Sequence, residues 1–178
     1  YIPYEFINRN LAETLIIAFC FPPYVDTSGN VMAKRLRDMN VVADVVYNQM
    51  DKVRPKDPTL NTLVDDLVEE RVIVPTYPSF SNWKAIEDFC TYGMNKISKE
   101  KQYKELYSRA MWPGSHFLAY LYKLQNPDVK WVAEFSDPLL MDIHGKQREA
   151  NIDNVNLLKQ ANKLAKKQYN LPPVKNLI

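Results

Sequence analysis

Glycine, cysteine and histidine are all scarce in this 178-residue chain, with four, two and two of each. Long apolar runs are missing too: none approaches the roughly 20 residues that a membrane-spanning helix needs. Each shortage excludes something. Only Gly29 lies between the first apolar run and the first helical pattern, so the three-glycine dinucleotide fingerprint is missing and no nicotinamide cofactor is implied. Cys20 falls in a predicted strand and Cys90 on the apolar face of a predicted helix, which reads as two reduced core residues of a cytosolic protein. The 23 basic and 21 acidic residues leave a formal charge of +2, too small to hold nucleic acid without a clustered patch. No repeat or low-complexity tract occurs. The chain opens on Tyr1 without the charged, apolar and small-residue order of a secretory signal, and is expected to be a piece of a longer protein.

What is present is an alternation. Leu15 to Phe21 reads as a buried strand, Pro22 to Asn30 as a polar turn with one glycine, and the residues after it as a helix with apolar positions at Met32, Leu36 and Met39. Val41 to Tyr47 and Arg71 to Thr76 read as further strands, with a short acidic helix near Leu60 to Glu69 between them. From Ser81 the set Ile86, Phe89, Cys90, Met94 and Ile97 follows the helical period. Glu105 to Ala110, Ser115 to Gln125 and Lys130 to Phe135 complete the series as strand, helix and strand. This predicts an α/β fold: one Rossmann-like parallel sheet with helices on both faces and the first strand central. A chain of this length buries roughly 70% of its unfolded surface, enough for one core.

Open α/β sheets bind ligands beyond the carboxyl ends of their strands, so the segments after each strand hold the candidates. Ser28 or Thr27 either caps the following helix or meets a ligand. Gly29 either permits a tight turn or offers its N–H to an anion at the positive helix end. Asn30 and Arg109 are further polar candidates, although Arg109 with no visible partner also reads as a surface charge. Ser115 is expected to cap a helix with His116 in its first turn, where the dipole keeps the imidazole neutral. Asp137 before Pro138 reads as a turn pair or a site residue. His144, beside Gly145, reads as a solvated loop residue.

Three segments in order, Phe21-Pro22-Pro23 through Ser28-Gly29-Asn30 to Lys34-Arg35-Leu36, then Tyr107-Ser108-Arg109 with Trp112-Pro113-Gly114-Ser115-His116, then Lys130 to Pro138, carry a resemblance. Over about residues 14 to 140 the chain resembles the N-terminal domain of GT-B fold glycosyltransferases, nearest to the family 4-like group of polysaccharide and cell-wall enzymes. Ser136-Asp137-Pro138-Leu139 stands where the family pattern commonly reads Arg-Asp-Pro-Trp. The resemblance implies that residues 1–178 are the acceptor-side half of a two-domain, retaining, metal-independent enzyme. Such an enzyme moves a sugar from a nucleotide-sugar donor, held mainly by the other domain, to a glycan or lipid-linked acceptor. His116 and Asp137 then become the catalytic candidates, and Ser28, Gly29, Asn30 and Arg109 the substrate-binding ones, with no metal and no cofactor expected. Backbone N–H groups near Gly29 would help hold charge on the leaving diphosphate.

Leu157, Leu158, Ala161, Leu164 and Ala165 form one face of a last predicted helix, with Lys159, Lys163, Lys166 and Lys167 opposite. Packing on the sheet is the expected role. Peripheral contact with an anionic membrane at the cytoplasmic face is the other. Two further classes compete with the enzyme: a non-catalytic acceptor-binding or scaffold subunit, and a small nucleotide-binding regulator, which the missing phosphate-cradling lysine motif disfavours.

Overall fold

A computed structural model describes residues 12–80, 82–97, 99–136, 141, 144–146 and 154–164. Five strands, β1 (Thr14–Ala18), β2 (Ala43–Asn48), β3 (Val68–Val74), β4 (Glu105–Ala110) and β5 (Lys130–Phe135), form one sheet in the order β3-β2-β1-β4-β5. Every pairing is parallel. The four longer helices are α1 (Thr27–Met39), α2 (Trp83–Lys96), α3 (Gly114–Gln125) and α4 (Val155–Leu164). The expected α/β, Rossmann-like architecture is therefore present, with β1 in the centre.

The core follows from the strand sequences. β1 and β2 are buried along their whole length, as strands covered on both faces must be, and Leu15, Ile16, Ile17, Val45 and Val46 are fully enclosed. α2 and α3 pack against each other and against the sheet. Gly93 of α2 lies so close to Leu118 of α3 that an added Cβ would come within 2.4 Å of it. α1 lies on the other side. Adjacent residues of β4 demonstrate this: Ser108 bonds to His116 of α3, whereas Arg109 shares Glu134 with Arg35 of α1.

Three boundaries differ from expectation. β1 stops at Ala18 rather than Phe21, because the Phe19 N–H leaves the ladder for Ser115 Oγ at 2.8 Å. The acidic helix near Leu60 to Glu69 is replaced by a 3-10 helix at Pro58–Leu63, whose first N–H groups are met by Asp57. Glu69 and Glu70 instead enter β3, an edge strand on which charges are tolerated, and Pro75, with no N–H, ends that strand.

Candidate functional site

The order β3-β2-β1-β4-β5 reverses direction between β1 and β4, and the crevice at such a switch point is where open α/β sheets take ligands. One wall is the segment from Phe19 to the start of α1. Its peptide bond between Pro22 and Pro23 is cis. Asp26 caps α1, accepting from Gly29 N at 3.1 Å, and its other oxygen accepts from Arg54 Nε at 2.9 Å. The cap is therefore Asp26, not Ser28 or Thr27. Sequence reading overlooked it, although an aspartate three residues before the glycine is a usual capping signal.

This capping changes what the helix end can do. The positive end of α1 already carries a buried carboxylate, and the Gly29 N–H is taken by it. Gly29 is also not a turn residue. It lies inside α1, and a Cβ there would meet the Cys20 carbonyl oxygen at 2.8 Å, so glycine serves the close approach of helix to strand end. The Gly29 N–H, expected to help hold a diphosphate, is thus occupied by Asp26 in this structure. Ser28 is buried beside it.

The other wall is the end of β4 and the turn to α3. Trp112 stacks on Phe19 with ring centroids 5.2 Å apart and planes 11° from parallel, and Arg54 lies over its ring at 5.7 Å. Arg54 thus links the α1 cap to the Trp112 indole. Arg109, in register with Ala18 at the end of β1, is only 9% exposed and pairs with Glu134. The surface-charge reading of Arg109 fails because β5 supplies that carboxylate directly opposite it. Tyr107 O–H donates to the same carboxylate at 2.5 Å and Arg35 approaches it at 3.5 Å. Burial pushes the Glu134 carboxyl up, but Tyr107 and the charges of Arg109 and Arg35 outweigh it and hold the group below the usual carboxylate range. Burial and that carboxylate raise Tyr107 to about 12. Glu134 is thus an ionised acceptor at neutral pH, not a proton donor. Polar residues at alternate positions of two predicted strands, Tyr107 and Arg109 against Glu134, were the available signal for this cluster.

His116 is at the same end of the sheet but on the other face. Its Nδ1 lies 2.8 Å from Ser108 Oγ, which accepts from Trp131 Nε1 at 2.8 Å, and its ring packs on Phe135 with centroids 4.4 Å apart. Burial lowers its pKa to about 4, with the Glu134 backbone acting in the opposite sense, so desolvation keeps it neutral. α3 begins at Gly114 after Pro113, with no side-chain cap; Ser115 Oγ is used by Phe19 instead. Arg109 thus lies on the α1 face of the sheet and His116 on the α3 face, while Trp112, stacked on Phe19 beside Phe80, sits over the end of the sheet next to Arg54. Asp137 lies outside the described residues.

Among the described residues, seven buried side-chain nitrogen or oxygen atoms have no hydrogen-bond partner, and three of them belong to the segments that meet at the switch point: Asn30 Oδ1 in α1 after β1, Arg109 Nε in β4 and Trp112 Nε1 just after it. Buried polar atoms are normally satisfied, so these three are hydrogen-bonding groups with capacity to spare. The mixture is two N–H donors and one carbonyl acceptor. No cluster of His, Cys, Asp or Glu among the described residues is suited to a metal ion.

Comparison with protein-family models, curated proteins and solved structures finds no match. The site must be read from its own geometry.

Proposed function

We propose that this chain is the acceptor-side domain of a glycosyltransferase that moves a sugar from a nucleotide-sugar donor to a glycan or lipid-linked acceptor in polysaccharide or cell-surface synthesis. The observation that carries the reading is the switch point, where the segments after β1 and at the end of β4 hold buried donors of Arg109 and Trp112 and a buried acceptor of Asn30 without partners, and where Asp26 already closes the start of α1. Vicinal hydroxyls both donate and accept, and so can satisfy a mixed set of this kind. The Gly29 N–H that a phosphate would use at this helix end is already taken by Asp26. A domain that holds the uncharged acceptor while another holds the diphosphate agrees with that distinction. Glu134, kept ionised on the α1 face, adds a further acceptor for hydroxyl groups beside Arg109.

In this reading the domain's contribution is positioning: it holds the acceptor hydroxyl in line with the donor, which accounts for much of the rate advantage of such transfers. No helix among the described residues is long and apolar enough to cross a membrane. A cytoplasmic enzyme meeting a lipid-linked acceptor at the membrane surface is the setting that suits the proposal.

The test is a transfer assay on the complete gene product with radiolabelled nucleotide sugars and glycan or lipid-linked acceptors. Trp112→Phe keeps the ring stacked on Phe19 but removes the unpartnered N–H. It is expected to raise KM for the acceptor by about tenfold, the loss of roughly one hydrogen bond, with KM for the donor unchanged. Absence of transfer across the panel, or a rise in donor KM alone, contradicts the proposal.

A further inference from the structure

A cavity of about 240 Å³ opens at the carboxyl ends of β2 and β3 and is lined by Gln49, Asp51, Lys52, Thr76, Tyr77 and the two flanking prolines. Its two loops are bonded to each other. Asn48 is fully buried and fastens one loop to the other: its amide nitrogen donates to the Thr76 carbonyl at 3.1 Å, and its oxygen accepts from the Thr76 hydroxyl at 2.7 Å. Gln49 N–H adds a bond to the Val74 carbonyl at 2.8 Å. Pro75 and Pro78 restrict the chain on either side of Thr76 and Tyr77.

On this mount Tyr77 is 66% exposed. Its only described ring contact is the Lys52 ammonium, 5.7 Å from the centroid, and an exposed contact of that sort is weak. Nearby, Asp51 accepts from Gln49 Nε2 at 2.6 Å and from Lys56 Nζ at 2.6 Å. The hydrogen bonds from Lys56 and Gln49 hold its carboxyl below the usual range, so it stays charged.

We propose that this cavity binds one uncharged sugar ring, its C–H face against Tyr77 and its hydroxyls on Asp51 and Gln49. The C–H hydrogens of a pyranose carry slight positive charge and suit the negative face of an aromatic ring. A carboxylate beside an amide offers the acceptors and donors that neighbouring hydroxyls require. The volume falls below the roughly 300–1,000 Å³ of sites for drug-sized ligands, which limits the occupant to a single ring. As a subsite for a further residue of the acceptor glycan, the assignment rests on the glycosyltransferase reading; as a saccharide site, it stands alone.

The experiment is amide NMR of the 178-residue chain titrated to millimolar concentration with methyl glycosides of glucose, galactose, mannose and N-acetylglucosamine, with AMP and UDP-glucose as anionic probes. At least one glycoside is expected to shift the amides of Gln49, Asp51, Lys52, Thr76 and Tyr77 saturably. Tyr77→Ala should weaken that binding about tenfold or more, while Tyr77→Phe retains it. Asp51→Asn should weaken it as well. Glycoside shifts confined to Asn30 and Trp112 would overturn the Tyr77 subsite and leave the acceptor-side reading standing. Unchanged affinity in Tyr77→Ala, a response at Tyr77 to the anionic probes only, or silence to every glycoside would also overturn it. Saccharide binding at Tyr77 in a complete protein that transfers no sugar would keep the subsite and defeat the enzyme reading.

Discussion

At the scale of single residues, Asp26 carries the most consequence for its size. It joins the α1 cap to Arg54 and, through Arg54, to Trp112. Asp26→Ala is expected to lower unfolding free energy by about 1–2 kcal/mol, the cost of a lost helix cap, measured by urea titration. Gly29→Ala gains helix propensity but forces a Cβ against the backbone of Cys20 and Phe21, which cannot yield as a side chain can. A net loss of about 1–3 kcal/mol follows from such overpacking, and the same titration checks it. His116 gives a pH signature. Its folded pKa of about 4 lies below the ordinary 6.5, so the unfolded chain binds the extra proton between those values. Its contribution is complete above about pH 6.5 and is lost as pH falls toward 4, by at most about 3 kcal/mol. Comparing stability against pH for the wild type and His116→Gln isolates this term. Equal slopes between pH 6.5 and 4 would contradict the burial of the imidazole.

At the scale of elements, the crossover from α2 into β4 is held by a charged cluster at the amino ends of the strands. Lys101 Nζ lies 2.7 Å from Asp44, which is fully buried in β2, and Tyr103 O–H donates to the same oxygen at 2.6 Å. Lys101→Met leaves the Asp44 charge with only the tyrosine. Stability should fall by about 3–5 kcal/mol, as when one partner of a buried ion pair is removed, with the loss measured by chemical denaturation. The alternation of strand and helix was legible in sequence because α2 and α3 carry strong helical periodicity and β1 and β2 are unbroken β-rich runs. Boundaries were less so. Nothing in Leu15 to Phe21 reveals that Phe19 bonds to a serine 96 residues away, and acidic residues such as Glu69 read as helical when the strand that holds them is an edge. The candidate site was half legible for a similar reason. The end of the sheet followed from topology, but the face did not: His116 and Arg109 are both near the end of β4, and only tertiary contacts reveal that they point to opposite sides. Asp26 and Glu134 were visible as residues, and their roles depend on Arg54 and Arg109 reaching them from other elements.

At the scale of the whole molecule, the account divides labour by charge. At the switch point Asp26 takes the Gly29 N–H at the start of α1, and Asn30, Arg109 and Trp112 each keep one buried polar atom unpartnered. On the proposed reading this domain engages the acceptor hydroxyls and another domain holds the diphosphate. Transfer requires both substrates in reacting geometry, so the 178-residue chain alone is expected to turn over no sugar. Isothermal titration of this chain against nucleotide sugars and against glycan or lipid-linked acceptors tests the division most directly. The account predicts heat of binding with at least one acceptor, reduced in Asn30→Ala and in Trp112→Phe, and none with the nucleotide sugars. Tight binding of a nucleotide sugar, with no acceptor bound, would contradict it.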